Sequence, residues 1–355
     1  MNGNRIVYID NIKVFLTGLV VAHHAAQAYG TTGGVWVVND PFKADWLRDF
    51  FFLNASYMMG LYFFISGYFM VFSIKMKSNL AFMNDRFKRL GIPLLFVTLF
   101  IFLPFNYFFT ESNRNVFSFF ADSYLHKPPV ATGHLWFVAS LLAYSIVYNI
   151  LFHKKFIDLA KKAGSLTVSH ILIFTVVITV LCAAVRLKYP IDTWRTWLIP
   201  LEPAHLSQYF LLFLAGAFFN HTSWLNQLKS KYSLAFFGFA VFIYIVQRYL
   251  PDEIKNYWIT ESLIESVMCI GISIGLLALF KKYGNSTNAF VSKLSANAYG
   301  IYLVHLFIVI LLQYSIINLL LNANIKFIAV TIAGILLSLL LSMLIRRSRY
   351  IRQII

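Results

Sequence analysis

Charge is scarce in this chain. Of its 355 residues only 12% are Asp, Glu, Lys or Arg, while 59% are hydrophobic, and the mean hydropathy is +0.69. Soluble domains carry about 25% charged residues, so the composition excludes a water-covered surface and points to lipid as the solvent. Cysteine is scarcer still. Cys182 and Cys269 both lie in apolar blocks and offer neither a disulfide framework nor a metal-ligand spacing. No metal is expected. Acid is the rarer sign, with 14 acidic residues against 30 basic ones and a net charge of +16. In a soluble protein that balance would raise nucleic acid as a partner. Here the basic residues sit in short connections between apolar blocks, so no nucleic acid is expected. A cleaved signal peptide is not expected either. The first apolar block holds Lys13, His23, His24 and Gln27 and lacks a clear small-residue cleavage site.

What is abundant is apolar runs. A helix crosses the hydrocarbon core with about 20 mainly apolar residues. Ten such runs are present, at residues 9–30, 49–74, 89–110, 133–152, 166–187, 205–220, 232–250, 258–280, 296–320 and 325–345, the sixth being short. Backbone groups must be paired within lipid, and the alternating pattern of a barrel is absent, so the runs predict helices. The expected fold is all-α: a polytopic integral membrane protein of about ten transmembrane helices, forming one domain over residues 1–355 with no fused soluble domain. With the N-terminus in the cytoplasm, the inside segments, from Arg5 to Arg352, hold nineteen basic residues and the outside segments ten. This asymmetry predicts that both termini are cytoplasmic.

Ionisable residues inside membrane helices are costly, so each is a functional candidate. The first helix is richest. At 100° per residue from Lys13, Thr17 falls at about +40°, His24 at about +20°, Gln27 at about −40° and Asp10 at about +60°. His23 points about 100° away from His24, which makes it a packing residue. The seam must face protein or water, whether it only ties helices together or serves chemistry. Asp10 and Lys13, three residues apart, form a reasonable pair. Just before the third helix stands Arg86-Phe87-Lys88-Arg89. Such a cluster is a topology signal, or else a phosphate dock in which Arg86 and Arg89 supply bidentate donors.

Five segments, in order, resemble membrane acyltransferase family 3, whose members acylate sugars, lipids and antibiotics. They are Tyr8-Ile9-Asp10-Asn11-Ile12-Lys13 through His23-His24; Phe63-Phe64-Ile65-Ser66-Gly67-Tyr68; Arg86-Phe87-Lys88-Arg89 with Pro93; Gly133-His134-Leu135-Trp136-Phe137; and Ala298-Tyr299-Gly300-Ile301-Tyr302-Leu303-Val304-His305. One departure is Lys13, where many relatives carry Arg.

The resemblance implies an integral membrane O-acyltransferase. Its donor substrate would be acyl-CoA, usually acetyl-CoA, on the cytoplasmic side, with no permanently bound cofactor. The acceptor would be a hydroxyl of an extracytoplasmic saccharide or lipid-linked molecule, and the location the bacterial cytoplasmic membrane. On that reading His24 is the base or a transient acyl carrier, Lys13 and Asp10 set its charge balance, and Arg86 and Arg89 hold the CoA phosphates. On the acceptor side, Trp194 with Trp197 around Arg195 could stack on a sugar or anchor the interface. Glu261 and Glu265, four apart on the eighth helix, could line a cavity or pair with a base. Trp136, with His134, and His305 line the site or pack. Ser66-Gly67 permits close helix approach. The competing class is a transporter of a sugar or lipid intermediate, which ten helices with intramembrane polar residues also suit. A third is a membrane scaffold or sensor.

Overall fold

The computed structural model describes residues 6–31, 36–110, 113–126, 132–196 and 200–355; Arg5 and Trp197 lie outside the described residues. Among those residues ten long helices follow one another: α1 (Val7–Ala26), α2 (Leu47–Lys75), α3 (Asn79–Phe109), α4 (Gly133–Lys162), α5 (Val168–Arg186), α6 (Pro203–Thr222), α7 (Ser230–Gln247), α8 (Trp258–Tyr283), α9 (Ala289–Ile316) and α10 (Ala323–Ile345). Each covers one of the ten apolar runs. Regular β structure among the described residues is one two-residue antiparallel pair, β1 (Arg195–Thr196) and β2 (Pro200–Leu201), with Arg195 opposite Leu201. Eight of the helices, all but α1 and α6, are long and apolar enough to cross a membrane. α1 and α6 have 20 residues each, which is sufficient length, but polar side chains along them lower their hydropathy.

α3 and α4 start or end well beyond their apolar runs. α3 begins at Asn79, capped by the Ser78 hydroxyl, and α4 continues through Lys161 and Lys162. Both contain wider π-turns, at Phe87–Gly91 and Thr98–Phe102 in α3 and at Tyr148–Phe152 in α4. Such turns add a residue without breaking the rod and recur at functional sites.

The helices sort into an interior group and an outer ring. In the most apolar stretch of α2 and of α8, 67% of residues are buried, against 17% in α7. A lipid-facing helix keeps its apolar residues on the outside, so low burial marks the ring. α1 packs against α2, α8, α9 and α10, which turns its polar seam toward protein. α2 and α6 make the tightest contact. A Cβ on Gly67 would collide with the Phe213 carbonyl, and one on Gly216 with the Phe64 carbonyl. Ser66-Gly67 therefore does permit close approach, and the backbones touch directly. At the start of α10, Lys326 is fully buried and pairs with Asp40 at 2.6 Å while also donating to the Ile317 carbonyl at 3.0 Å. This pair, with Lys43 donating to the Ala28 carbonyl at 2.9 Å, straps the segment after α1 across the bundle end.

Candidate active site

The seam on α1 has two ends. At one, Asp10 and Lys13 pair at 2.8 Å, as their spacing predicts. Thr17 donates to the Lys13 carbonyl at 2.7 Å, and its hydroxyl meets that of Tyr62 on α2. At the other end stands His24, eleven residues on or about 16.5 Å along the axis. Asp10 and Lys13 therefore do not touch the imidazole.

His24 faces α9. Its Nδ1 lies 3.0 Å from the Val20 carbonyl oxygen and 3.1 Å from Nε2 of His305. Among the described residues its Nε2 has no hydrogen-bond partner, and it is not among the buried nitrogens that lack one, so it is open to an incoming group. Gln313, two turns beyond His305, donates to the carbonyls of His24 and Ala25 at 3.2 and 2.9 Å and accepts from Trp36 Nε1 at 2.9 Å. The Trp36 ring then lies 5.7 Å from His24 with the planes 31° apart. His23 points elsewhere, edge-on to Phe51 of α2 at 5.1 Å, as a packing residue does.

The late segment of α9 reaches every part of the site. Tyr299 donates to the Arg89 carbonyl at 2.8 Å, Tyr302 donates to the His134 carbonyl, and His305 meets His24. The Arg89 carbonyl lies within the first π-turn of α3, where the widened ladder needs an outside donor. One helix face thus aligns α1, α3 and the start of α4.

Arg86 and Lys13 line a common cavity of about 230 Å³ with Tyr62, Ser66, Phe69 and Ser145 among its walls. The Lys13 ammonium stands 4.1 Å over the Phe69 ring. Arg86 turns inward, its side chain 19% exposed, whereas that of Arg89 is 56% exposed. On an α-helix residues three apart nearly share a face; the π-turn rotates them apart. Asp85 accepts from both, at 3.4 and 3.2 Å, and also pairs with Lys77 at 2.9 Å. Arg86 Nε nevertheless stays buried without a partner. With Lys13 and Arg86 both lining it, and Arg86 sharing its one carboxylate with Lys77 and Arg89, the cavity is a place for an anion.

A sequence profile of an acyltransferase domain matches residues 6–347, nearly the whole chain. The chain belongs to membrane acyltransferase family 3. No curated protein and no solved structure matches it. As a family 3 acyltransferase it is an enzyme that transfers acyl groups other than aminoacyl groups, embedded in the membrane through many passes.

Other sequence-named residues of this acyltransferase fall outside the two centres. Glu265 is buried and pairs with Arg186 of α5 and with His205 Nδ1 of α6 at 2.9 Å. Glu261 lies 3.9 Å from the same arginine. Of the two alternatives for these acids, pairing with a base is the one seen. Glu202, in the connection before α6, completes the cluster at 3.5 Å from His205. Burial pushes its carboxyl up, but the His205 hydrogen bond and charge, with the Asp192 N–H, outweigh that and hold it below the ordinary carboxylate range. Trp136 stacks on Tyr209 at 5.7 Å, and Tyr209 stacks on His205 at 5.7 Å, so Trp136 borders this cluster. Trp194 is exposed in the β1 loop, with no ring contact or hydrogen bond to the other site residues among the described residues. Sequence reasoning missed Trp36, Tyr62, Arg186, His205 and Gln313. Arg186 was detectable as a charge at the end of an apolar run; Trp36, in a connection, had no periodic signal.

Proposed function

We propose that this enzyme moves an acyl group, acetyl in the family's usual case, from cytoplasmic acyl-CoA to a hydroxyl of an extracytoplasmic saccharide or lipid-linked acceptor. Both termini are placed in the cytoplasm on the basic asymmetry of the connections, and the bacterial cytoplasmic membrane is the location. The observation that carries the reading is the open Nε2 of His24, on the same face of α1 as Lys13, which lines an anion-fitted cavity with Arg86.

CoA phosphates fit at Arg86 and Arg89, and Lys13 with Asp10 guides the donor at the inner end of the seam. The thioester arm then spans toward His24. An acceptor hydroxyl gives its proton to His24 Nε2 as its oxygen bonds to the acyl carbon. The carbon–sulfur bond breaks, and the departing CoA thiolate takes the proton from the imidazolium, which restores the base. In the covalent alternative, Nε2 attacks the thioester carbon and the carbon–sulfur bond breaks to expel the CoA thiolate; the acceptor oxygen then bonds to the acyl carbon and displaces the imidazole, and the hydroxyl proton passes to the thiolate. No other cofactor enters either route.

The test is purified protein in vesicles with labelled acyl-CoA. His24→Ala is expected to lower turnover by about 10³-fold, while His23→Ala retains appreciable activity. Full turnover by His24→Ala removes the reading. Acylated His24 recovered by trapping and mass mapping selects the carrier. Acceptor uptake with no loss of the acyl group selects a transporter instead.

A further inference from the structure

The open nitrogen of His24 is useful only if it carries a lone pair. A neutral imidazole holds its proton on one nitrogen or the other. If Nε2 carried it, Nε2 would donate and could neither accept a proton nor attack a thioester. Something must hold the proton on Nδ1.

We infer that His305 is the positioning residue that, with the Val20 carbonyl, fixes His24 as the Nδ1–H tautomer and so keeps Nε2 free to react. The inference rests on the acyl-transfer reading of His24. It follows from a chain of donors and acceptors with one consistent solution. His305 Nδ1 lies 2.7 Å from the Tyr302 carbonyl oxygen. A carbonyl only accepts, so that nitrogen carries the His305 proton. In a neutral ring, His305 Nε2 is then an acceptor. It faces His24 Nδ1 at 3.1 Å, and the Val20 carbonyl faces the same atom at 3.0 Å. Two acceptors converge on His24 Nδ1, so the proton sits there and is shared between them.

The surroundings leave the assignment unchallenged. His134 stands beyond His305, its ring 5.0 Å away and edge-on. Its own Nε2 is spent on the Leu303 carbonyl at 3.3 Å, so it sends no proton toward His305 Nε2. Tyr302 donates its hydroxyl to the His134 carbonyl, which leaves only its backbone oxygen for His305. Trp36, on the other side of His24, commits its N–H to Gln313. His305 itself is fully buried, so no water competes for its place. When His24 takes the acceptor's proton, the two acceptors at Nδ1 are already aimed at the positive charge that forms. No reorganisation is needed at that moment.

The tautomer is measured directly by ¹⁵N spectra of histidine-labelled protein in lipid, with His24 assigned by the signals lost in His24→Gln. The expected result is a protonated Nδ1 and an unprotonated Nε2 in the wild type. The opposite tautomer overturns the inference whatever the activity of any variant. The kinetic test uses His305→Gln, His305→Asn and His305→Phe. A Gln oxygen reaches the place of Nε2 and can accept from His24; an Asn amide reaches only the place of Nδ1. His305→Gln should stay within about tenfold of wild-type kcat, while His305→Asn and His305→Phe fall by about 100-fold, with KM for acyl-CoA changed less than about threefold in all. A residue that merely fills space would not rank Gln far above Asn, so equal losses, or losses carried by KM, also overturn it. Failure of the acyl-transfer reading looks different: His24→Ala would stay active, whereas failure of the positioning role leaves His24→Ala inactive and His305→Asn near wild type.

Discussion

The membrane interior of this protein holds polarity of two kinds. Around Glu265, every charge has an opposite charge beside it: Arg186 and His205 for Glu265, Glu202 for His205, and Glu261 near Arg186, although Nε and Nη1 of Arg186 keep no hydrogen-bond partner. Around Arg86, three cations, with Lys77 and Arg89, share the one carboxylate of Asp85, and His24 keeps an Nε2 without a partner among the described residues. Both kinds look alike in the sequence, as charged or imidazole residues in apolar runs. The difference teaches that burial does not mark a reactive site; an excess of one charge and an open nitrogen do. A charge-balanced cluster ties α5, α6 and α8 together. An unbalanced one waits for a ligand.

The largest effect that would break this contrast concerns Glu265. Glu265→Gln leaves the Arg186 guanidinium in the interior with only Glu261 at 3.9 Å. Removing one partner of a buried pair costs about 3–5 kcal/mol, so thermal unfolding in detergent should show a large loss of stability, while the protein that remains folded keeps its turnover. Unchanged stability with lost turnover would move Glu265 into the reacting centre. Next comes the strap. Lys326→Met alone strands Asp40 and should destabilise by a comparable or smaller amount, and adding Asp40→Leu should recover most of it, because apolar replacement of a whole buried pair is often neutral. A double variant as unstable as the single one would show that the strap does more than neutralise charge. The smallest effects sharpen the unbalanced side. Arg86→Gln should raise KM for acyl-CoA by about tenfold, the worth of one hydrogen bond to a charged group. Arg89→Gln, at an exposed position, should change it about two- to threefold. Donor titration measures both, and equal effects would undo the inward and outward assignment made from the π-turn.

Much of the fold was legible. All ten runs became helices because lipid permits little else. The sixth, shortest by hydropathy, is a full helix of 20 residues from Pro203 to Thr222. Its polar residues His205 and Gln208 are buried, so a scale that reads polarity as exposure shortens it. The face of α1 was legible as well, since regular α geometry from Lys13 to His24 makes angles additive. What the spacing of Arg86 and Arg89 did not reveal is the π-turn that leaves one side chain 19% and the other 56% exposed, because a π-turn has no sequence mark. His305 was left open between core and site; its hydrogen bond to His24 joins residues 281 apart in sequence. Such pairings come only from how helices assemble. Arg186 and His205 were missed as the bases that answer Glu265 for the same reason.

The backbone contact between α2 and α6 bears on how cargo moves. Where Gly67 and Gly216 bring two main chains together there is no side-chain layer to repack, so the two rods travel as one piece. Swinging halves, as in a rocking carrier, would have to keep both on the same side of the hinge. The chemistry asks for no such swing: with the scaffold still, the reach comes from the thioester's own flexible tether.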